Sequence, residues 1–196
     1  MSEDPDLRGP DLPRVEQAVS VMAARNETTL VLCTGGRTGK GAMKMLPKLP
    51  DVCFVEVGDF AGAALRKAVE HGLKQVIFVG MAGELTTLDP GPEVGSEPGT
   101  EPGIGLLGEI TTDMVGSAEL AAEVGAAGTA RHAYELWEAA GVLGPCGREL
   151  CRRAGLALER LAAEAAGSEA SPIAAQVVLV DFTGERMVAM AGRLAR

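Results

Sequence analysis

Apolar residues recur along this chain in two spacings, and each strand-like run of them ends at a glycine turn. Residues 29–34, 52–57 and 75–79 are short, nearly continuous apolar runs, which is typical of buried strands. Between them, residues 39–46 and 60–71 place apolar side chains three and four positions apart, which predicts helices. This alternation of strand and helix predicts a parallel sheet with right-handed crossovers.

The same pattern continues on both sides of these strands, with more helix than strand in the second half. We expect helices at residues 12–25, 106–124, 130–140 and 146–166, and strands at residues 174–182 and 186–190. The sequence therefore predicts an α/β fold. Its sheet is expected to be mainly parallel and Rossmann-like, with helices on both faces, and to close with a C-terminal β-hairpin.

The chain divides into a short leading segment and one domain. Residues 1–26 are predicted to be a polar N-terminal segment and a helix, and residues 27–196 one α/β ligand-binding domain. Inside that domain, residues 89–105 are rich in Pro, Gly and Glu and have no hydrophobic period. Such composition predicts a flexible loop outside the sheet.

Charge and composition exclude several function classes. The formal net charge of −9 and the absence of clustered Lys and Arg argue against nucleic acid as a partner. No apolar run reaches the roughly 20 residues that span a bilayer, and residues 1–6 are acidic where a secretory signal is basic. We therefore expect a cytoplasmic protein that does not bind membranes.

The cysteines predict no disulfide and no metal site. Cys33 and Cys53 lie inside apolar strands, and Cys146 and Cys151 are five apart on a predicted helix, which places them on different faces. No spacing typical of a metal site is present. We expect reduced thiols that serve packing.

The glycine turns are the candidate ligand site, because the carboxyl ends of parallel strands are where α/β proteins bind ligands. Residues 35–41 are not a phosphate-binding P-loop, which requires a glycine in place of Thr34 and Ser or Thr in place of Gly41. What remains is a glycine loop bearing Arg37, Thr38 and Lys40, suited to a carboxylate, a phosphate or a sugar hydroxyl. The alternative is a tight turn with solvated charges.

The other turns each allow two interpretations. Asp59, after the second strand, can accept a ribose hydroxyl or cap the helix that begins at Phe60. Residues 80–84 resemble a dinucleotide-binding turn only loosely. Thr129 is expected to cap a helix, whose first-turn His132 could serve a ligand or simply face solvent. No catalytic triad, carboxylate pair or His-Glu helix is present, so no catalytic residue and no metal ligand is assigned.

Taken in order along the chain, these motifs resemble one family. They are Thr34-Gly35-Gly36-Arg37-Thr38, Val57-Gly58-Asp59-Phe60, Val79-Gly80-Met81, Thr129-Ala130-Arg131 and Val178-Leu179-Val180-Asp181-Phe182 with Gly184-Glu185. The set is similar to the carboxyl-terminal half of the CbiD family, the cobalt-precorrin-5B C(1)-methyltransferases of the anaerobic cobalamin pathway. The resemblance covers residues 29–189. It implies S-adenosylmethionine as cofactor and a cobalt-precorrin, a tetrapyrrole, as substrate.

Two departures from the family leave alternatives open. The family's amino-terminal half is absent from this chain, and its His-x-Asp-x-His-like stretch is replaced by residues 89–103, which contain no histidine. The resemblance therefore implies either a methyltransferase that acts with a separate amino-terminal CbiD subunit, or a non-catalytic module that binds a corrinoid, an adenosyl ligand or a partner subunit. A third alternative is an unrelated nucleotide-binding α/β protein. Homo-oligomerisation is left open.

The resemblance and the glycine turns together give one expected site. We expect the turns at Gly36, Gly58 and Gly80 to converge on a single cleft, in which Asp59 accepts the ribose hydroxyls of S-adenosylmethionine. The residues expected to bind this cofactor are Gly35, Gly36, Arg37, Thr38, Gly58, Asp59, Phe60, Gly80, Met81, Thr129 and Arg131.

Overall fold

The computed structural model describes residues 9–88 and 99–196. Its helices are α1 (Leu12–Ala24), α2 (Gly36–Met45), α3 (Ala61–Glu70), α4 (Ala82–Thr86), α5 (Ile104–Val115), α6 (Ala118–Gly125), α7 (Ala130–Ala139) and α8 (Leu143–Ala166). Its strands are β1 (Thr29–Cys33), β2 (Phe54–Glu56), β3 (Gln75–Gly80), β4 (Ala174–Val180) and β5 (Met187–Gly192).

The strands form one sheet in the order β2-β1-β3-β4-β5. The first four are parallel, with Leu32 of β1 opposite both Val55 of β2 and Phe78 of β3. Strand β5 is antiparallel to β4 and completes a hairpin, with Met190 opposite Val178. The chain moves outward from β1 to β2 and then crosses back to β3, so the winding reverses between β1 and β3. At such a reversal the flanking loops separate and leave a crevice at the carboxyl ends of the strands.

The two faces of the sheet are covered unequally. On one face Leu32, Phe78 and Val177 are buried in the main core, beneath α1, α3 and α8. On the other face Val31 and Ile77 are buried beneath α2. The expected mainly parallel α/β sheet, with helices on both faces and a closing hairpin, is confirmed.

Several element boundaries differ from expectation, each for a local reason. Strand β2 begins at Phe54 because Asp51–Cys53 form a turn of 3-10 helix after Pro50. The single helix expected over residues 106–124 is wrong. Gly116 adopts a left-handed φ of 69° that ends α5, and the Ser117 hydroxyl accepts the Leu120 N–H to begin α6.

The structure describes only residues 99–105 of the expected loop over residues 89–105. Residues 89–98 lie outside the described part of the chain. Ile104 and Gly105, expected in the loop, instead belong to the first turn of α5. The short helix α4 was not expected at all.

The four cysteines are free and buried, as expected. Burial raises the pKa of Cys33 and of Cys151 to about 12, and that of Cys53 and of Cys146 to about 11. These thiols are therefore protonated at neutral pH and serve packing. Within residues 9–88 and 99–196, no group of His, Cys, Asp and Glu is arranged to hold a metal, and no helix is long and apolar enough to cross a membrane.

Candidate functional site

A cleft of about 540 Å³ opens where the turns after β1, β2 and β3 meet. Its volume falls within the range of roughly 300–1,000 Å³ typical of small-molecule sites. The residues that line it are Thr34, Gly58, Asp59, Ala61, Gly62, Phe78, Gly83, Glu84, Thr87, Leu88 and Leu161. The cleft therefore combines residues that follow all three strands with Leu161 from the C-terminal half of α8.

The turn after β2 presents an unused carboxylate. Gly58 has a left-handed φ of 50°, and a Cβ added to it would lie 3.0 Å from Cγ of Pro10, so only glycine fits there. Asp59 follows it and is exposed. The N-cap residue of α3 is Phe60, without a side-chain capping bond, so the capping interpretation of Asp59 is wrong. Within the described residues the Asp59 carboxylate makes no hydrogen bond and no ion pair.

The turn after β3 holds its carboxylate in place. One oxygen of Glu84, Oε2, accepts the Met81 N–H at 2.9 Å and the Thr34 hydroxyl at 2.5 Å. Because Thr34 follows β1 and Glu84 follows β3, this carboxylate bridges the crevice at the winding reversal. Glu84 thus couples two turns that are 50 residues apart in sequence.

The turn after β1 continues the same network. The Thr38 hydroxyl lies 3.1 Å from that of Thr34 and accepts the Gly35 N–H at 3.0 Å. Thr38 is buried, so this contact caps the beginning of α2 from within. Arg37 and Lys40, on the other side of α2, are exposed.

The closing hairpin fixes α2 from the other side. A Cβ added to Gly41 would overlap the carbonyl oxygen of Gly184 in the turn between β4 and β5. That turn is organised by Asp181, whose Oδ1 accepts the Thr183 hydroxyl at 2.6 Å. Burial raises the pKa of Asp181, but hydrogen bonds from Thr183 and from backbone N–H groups outweigh it and lower the pKa overall. The β1 turn is therefore positioned by a contact with the far end of the chain.

The structure brings together some of the expected site residues and not others. Gly58 and Asp59 line the cleft, together with Thr34, which precedes Gly35, and Gly83, which lies two residues after Met81. The others at the same sheet edge, outside the lining set, are Gly35, Gly36, Arg37, Thr38, Phe60, Gly80 and Met81. Gly80 has a packing reason to be glycine, because an added Cβ would lie 2.9 Å from Cδ1 of Leu85, 3.0 Å from Cε1 of Phe78 and 3.1 Å from Oε2 of Glu84.

The expected residues of α7 have structural roles. The Thr129 hydroxyl accepts the His132 N–H at 3.1 Å, which confirms it as the cap of α7. The Arg131 guanidinium lies 5.1 Å from the centre of the Phe182 ring and pairs with Glu135 at 3.4 Å. Neither residue lines the cleft, although the start of α7 is close: a Cβ added to Gly83 would lie 3.3 Å from that of Ala130.

A second, larger cavity of about 630 Å³ lies along α8, away from the strand ends. It is rich in arginine, but Arg152 and Arg153 are ion-paired with Glu149, and Arg193 with Glu159. These guanidinium groups are already satisfied by the protein. The smaller cleft, with its exposed Asp59, is the better candidate for a ligand site.

Comparison with known proteins agrees with the resemblance seen in the sequence. Residues 104–191 match the family model described as "CbiD, C-terminal domain". Over 182 residues the chain is 54% identical to a Salinispora arenicola protein named cobalt-precorrin-5B C(1)-methyltransferase. The chain is a relative of the carboxyl-terminal half of the CbiD family. The match covers 93% of this chain, and so includes the cleft, but only 46% of the Salinispora protein.

Other CbiD proteins give the same coverage. The Salinispora tropica protein of the same name is 54% identical over 179 residues, and that of Rubrobacter xylanophilus 45% identical over 168 residues. These matches span 45% and 41% of those proteins. The chain therefore spans about half the length of the curated CbiD relatives that it matches. No solved structure matches it.

Proposed function

We propose that this chain is the methyl-donor-binding part of an S-adenosylmethionine-dependent methyltransferase of cobalamin biosynthesis, which methylates C1 of cobalt-precorrin-5B. The observation that carries the proposal is the cleft at the winding reversal, in which Asp59 presents a carboxylate without a hydrogen-bond or ion-pair partner among the described residues. The names of the CbiD relatives support the reaction and the substrate class.

The residues of the cleft fit an adenosyl ligand. Asp59 lies at the end of β2, where a carboxylate can accept the two hydroxyls of a ribose, and Gly58 keeps the backbone beside it free of side-chain bulk. Phe78 and Leu88 provide an apolar wall against which the flat adenine base can pack. When bound, S-adenosylmethionine supplies an electrophilic methyl group.

The task left to the protein in methyl transfer is mainly alignment. Bringing donor and acceptor together in the correct orientation can supply most of the required acceleration. The rigid network of Thr34, Thr38 and Glu84 suits this task, because it fixes the turns that border the cleft. A reaction of this kind does not require a general acid or base in this half of the protein.

We further propose that the active enzyme includes an amino-terminal CbiD half and works in the cytoplasm. The CbiD relatives are about twice as long as their match to this chain. Pro10 packs against Gly58, so the chain enters the fold at the mouth of the cleft. A polypeptide preceding this point in the relatives would arrive where the tetrapyrrole must meet the methyl donor.

Calorimetric titration of the purified chain with S-adenosylmethionine and S-adenosylhomocysteine tests the donor site. We expect one site per chain, and binding that is weakened in Asp59→Ala. A well-folded wild-type chain that binds neither compound would contradict the proposal and favour the non-catalytic module. Adding the amino-terminal half of the Salinispora arenicola relative, with cobalt-precorrin-5B and methyl-labelled donor, then tests the need for that half: label should reach the corrinoid only when both halves are present.

A further inference from the structure

Glu84 lines the cleft, and half of its carboxylate is without a partner in the described part of the chain. Its Oε2 accepts from Met81 and Thr34, whereas Oε1 has no hydrogen-bond partner in the described part of the chain. Glu84 is half-buried and lines the cleft beside Thr34 and Gly83. A ligand in the cleft therefore meets one oxygen whose position is set by the protein.

No charged group of the described residues forms an ion pair with this carboxylate. Both groups that donate to Glu84 are neutral, a backbone N–H and a hydroxyl. No Lys or Arg forms an ion pair with Glu84 among residues 9–88 and 99–196. A half-buried negative charge without a counter-ion attracts a cation more strongly than a solvated one does, because less water screens it.

The position of Glu84 is also fixed in advance of binding. The Thr34 hydroxyl that holds it is itself in contact with the buried Thr38. Oε2 also packs closely against Gly80, where an added Cβ would lie only 3.1 Å from it. A charge held in this way needs little reorganisation when a ligand arrives, which is the condition for an electrostatic contribution to selectivity.

We infer that Glu84 determines specificity for the charged methyl donor over its neutral product. The inference rests on the proposed function, namely that an adenosyl donor binds in this cleft. Methyl transfer breaks the bond between sulfur and the methyl carbon and leaves its electron pair on sulfur. The new carbon–carbon bond takes its electron pair from the substrate, to which the positive charge passes. Glu84 attracts the sulfonium of the donor and loses that attraction once the thioether has formed.

Glu84→Gln tests this inference without removing the network, because the amide oxygen can accept from Met81 and Thr34 as the carboxylate does. S-adenosylmethionine should bind at least about fivefold more weakly to this variant. This is the effect on affinity of losing the attraction between two unit charges about 4 Å apart in water-like surroundings. S-adenosylhomocysteine should bind within about twofold of its wild-type affinity. Asp59→Asn is the matched control, and should weaken both compounds equally.

Two further probes separate the possible contacts. Methylthioadenosine lacks the amino-acid group, so it shows whether Glu84 meets the ammonium rather than the sulfonium. An equal loss of both S-adenosyl compounds in Glu84→Gln, with methylthioadenosine unaffected, would overturn the sulfonium assignment. Sinefungin carries a positive charge near the sulfur position, and the wild-type chain should bind it more tightly than S-adenosylhomocysteine even if Glu84→Gln fails to fold.

The outcomes distinguish this inference from the proposal beneath it. Wild-type binding of the adenosyl compounds, with unchanged selectivity in Glu84→Gln, would uphold the donor site and overturn the role of Glu84. The role of Glu84 would also be overturned if the wild-type chain bound S-adenosylmethionine and sinefungin no more tightly than S-adenosylhomocysteine. Failure of the wild-type chain to bind any of them would overturn both.

Discussion

Two of the three turns that border the cleft carry a carboxylate, and they hold it in opposite ways. After β2, Asp59 is exposed and makes no hydrogen bond within the described residues, and α3 begins without its help. After β3, Glu84 accepts two hydrogen bonds and ties the β3 turn to the β1 turn. A carboxylate that the fold does not use is available for a ligand, and its loss should affect binding alone. The loss of a carboxylate that accepts hydrogen bonds within the fold should lower stability as well as affect binding.

The largest effect is expected from breaking the contact that positions the β1 turn. In Gly41→Ala the new methyl group would overlap the Gly184 carbonyl oxygen, so α2 or the hairpin must move. We expect a loss of about 3 kcal/mol in the free energy of unfolding, at the upper end of typical overpacking costs. Urea unfolding measures it.

Gly39→Ala is the matched control on the same helix. Its Cβ would lie 4.0 Å from that of Cys33, an ordinary contact, and alanine favours helix over glycine by roughly 0.5–1 kcal/mol. This variant should be as stable as the wild type or more so. Equal destabilisation by both substitutions would show that the hairpin contact does not position α2.

The next largest effect separates binding from stability at the β2 turn. Asp59→Ala should lower the affinity for S-adenosylhomocysteine by about 1.5–3 kcal/mol, as for a lost charged hydrogen bond. Because Asp59 caps no helix, the melting temperature should stay within experimental error of the wild type. A stability loss of about 1 kcal/mol with unchanged affinity, the signature of a lost N-cap, would reverse the comparison.

A third carboxylate, far from the cleft, serves as a reference for purely structural use. Glu149 of α8 is 12% exposed and accepts hydrogen bonds from Arg152 and Arg153, and Arg153 also pairs with Asp113 of α5. Hydrogen bonds from Arg152, then those from Arg153, lower the pKa of Glu149 to about 2 despite its burial. Glu149→Gln should cost about 2 kcal/mol of stability at pH 7, since the half-exposed Arg152 is partly screened, and leave ligand affinity unchanged.

The pH dependence of that loss follows from the sign of the shift. A carboxylate whose pKa is lower in the folded chain stabilises the fold above its ordinary value of 4.5, and this contribution disappears as the pH falls towards 2. The difference in stability between wild type and Glu149→Gln should therefore be constant near neutral pH and shrink below pH 4.5. A difference that persists unchanged at pH 3 would show that charge is not its source. Glu70→Gln, in the exposed pair with Lys67, is the control and should change stability little.

The smallest effect is expected at the hydroxyl that joins the two turns. Thr34→Val keeps the shape of the side chain but removes the donor to Glu84, which should cost about 1 kcal/mol of stability. Thr34→Ser retains the hydroxyl and should recover most of that loss. Thermal melts of the three proteins make the comparison, and a valine variant as stable as wild type would mean that the bridge contributes nothing.

Much of the fold could be predicted from local patterns, because β1, β3 and β4 are nearly continuous apolar runs, as expected of the interior strands of a parallel sheet. The sequence analysis does not separate α5 from α6, although Gly116 and Ser117 mark the break, because Ala118, Glu119 and Leu120 directly after it favour helix. The start of β2 was placed early because the turn after Pro50 contains the apolar residues Val52 and Cys53.

The site was predicted less completely than the fold. Asp59 could be found because it lies in the glycine turn that follows an apolar strand. Glu84 could not, because its importance comes from a hydrogen bond to Thr34, 50 residues away, and no local pattern announces such a bond. The structural reason for Gly80 likewise depends on where the Glu84 side chain lies. The features of the site that could not be predicted from one sequence are the contacts of single side chains between residues far apart along the chain.

The central claim is that an adenosyl ligand occupies the cleft between the β2 and β3 turns, and backbone amide chemical shifts test it most directly. Addition of S-adenosylhomocysteine to the isotope-labelled chain should shift the amide signals of Gly58, Asp59, Gly83 and Glu84 together, with one common affinity. Signals from the larger cavity along α8, such as those of Leu156 and Ala163, should stay unchanged. Shifts confined to that cavity, with none at the strand ends, would contradict the account.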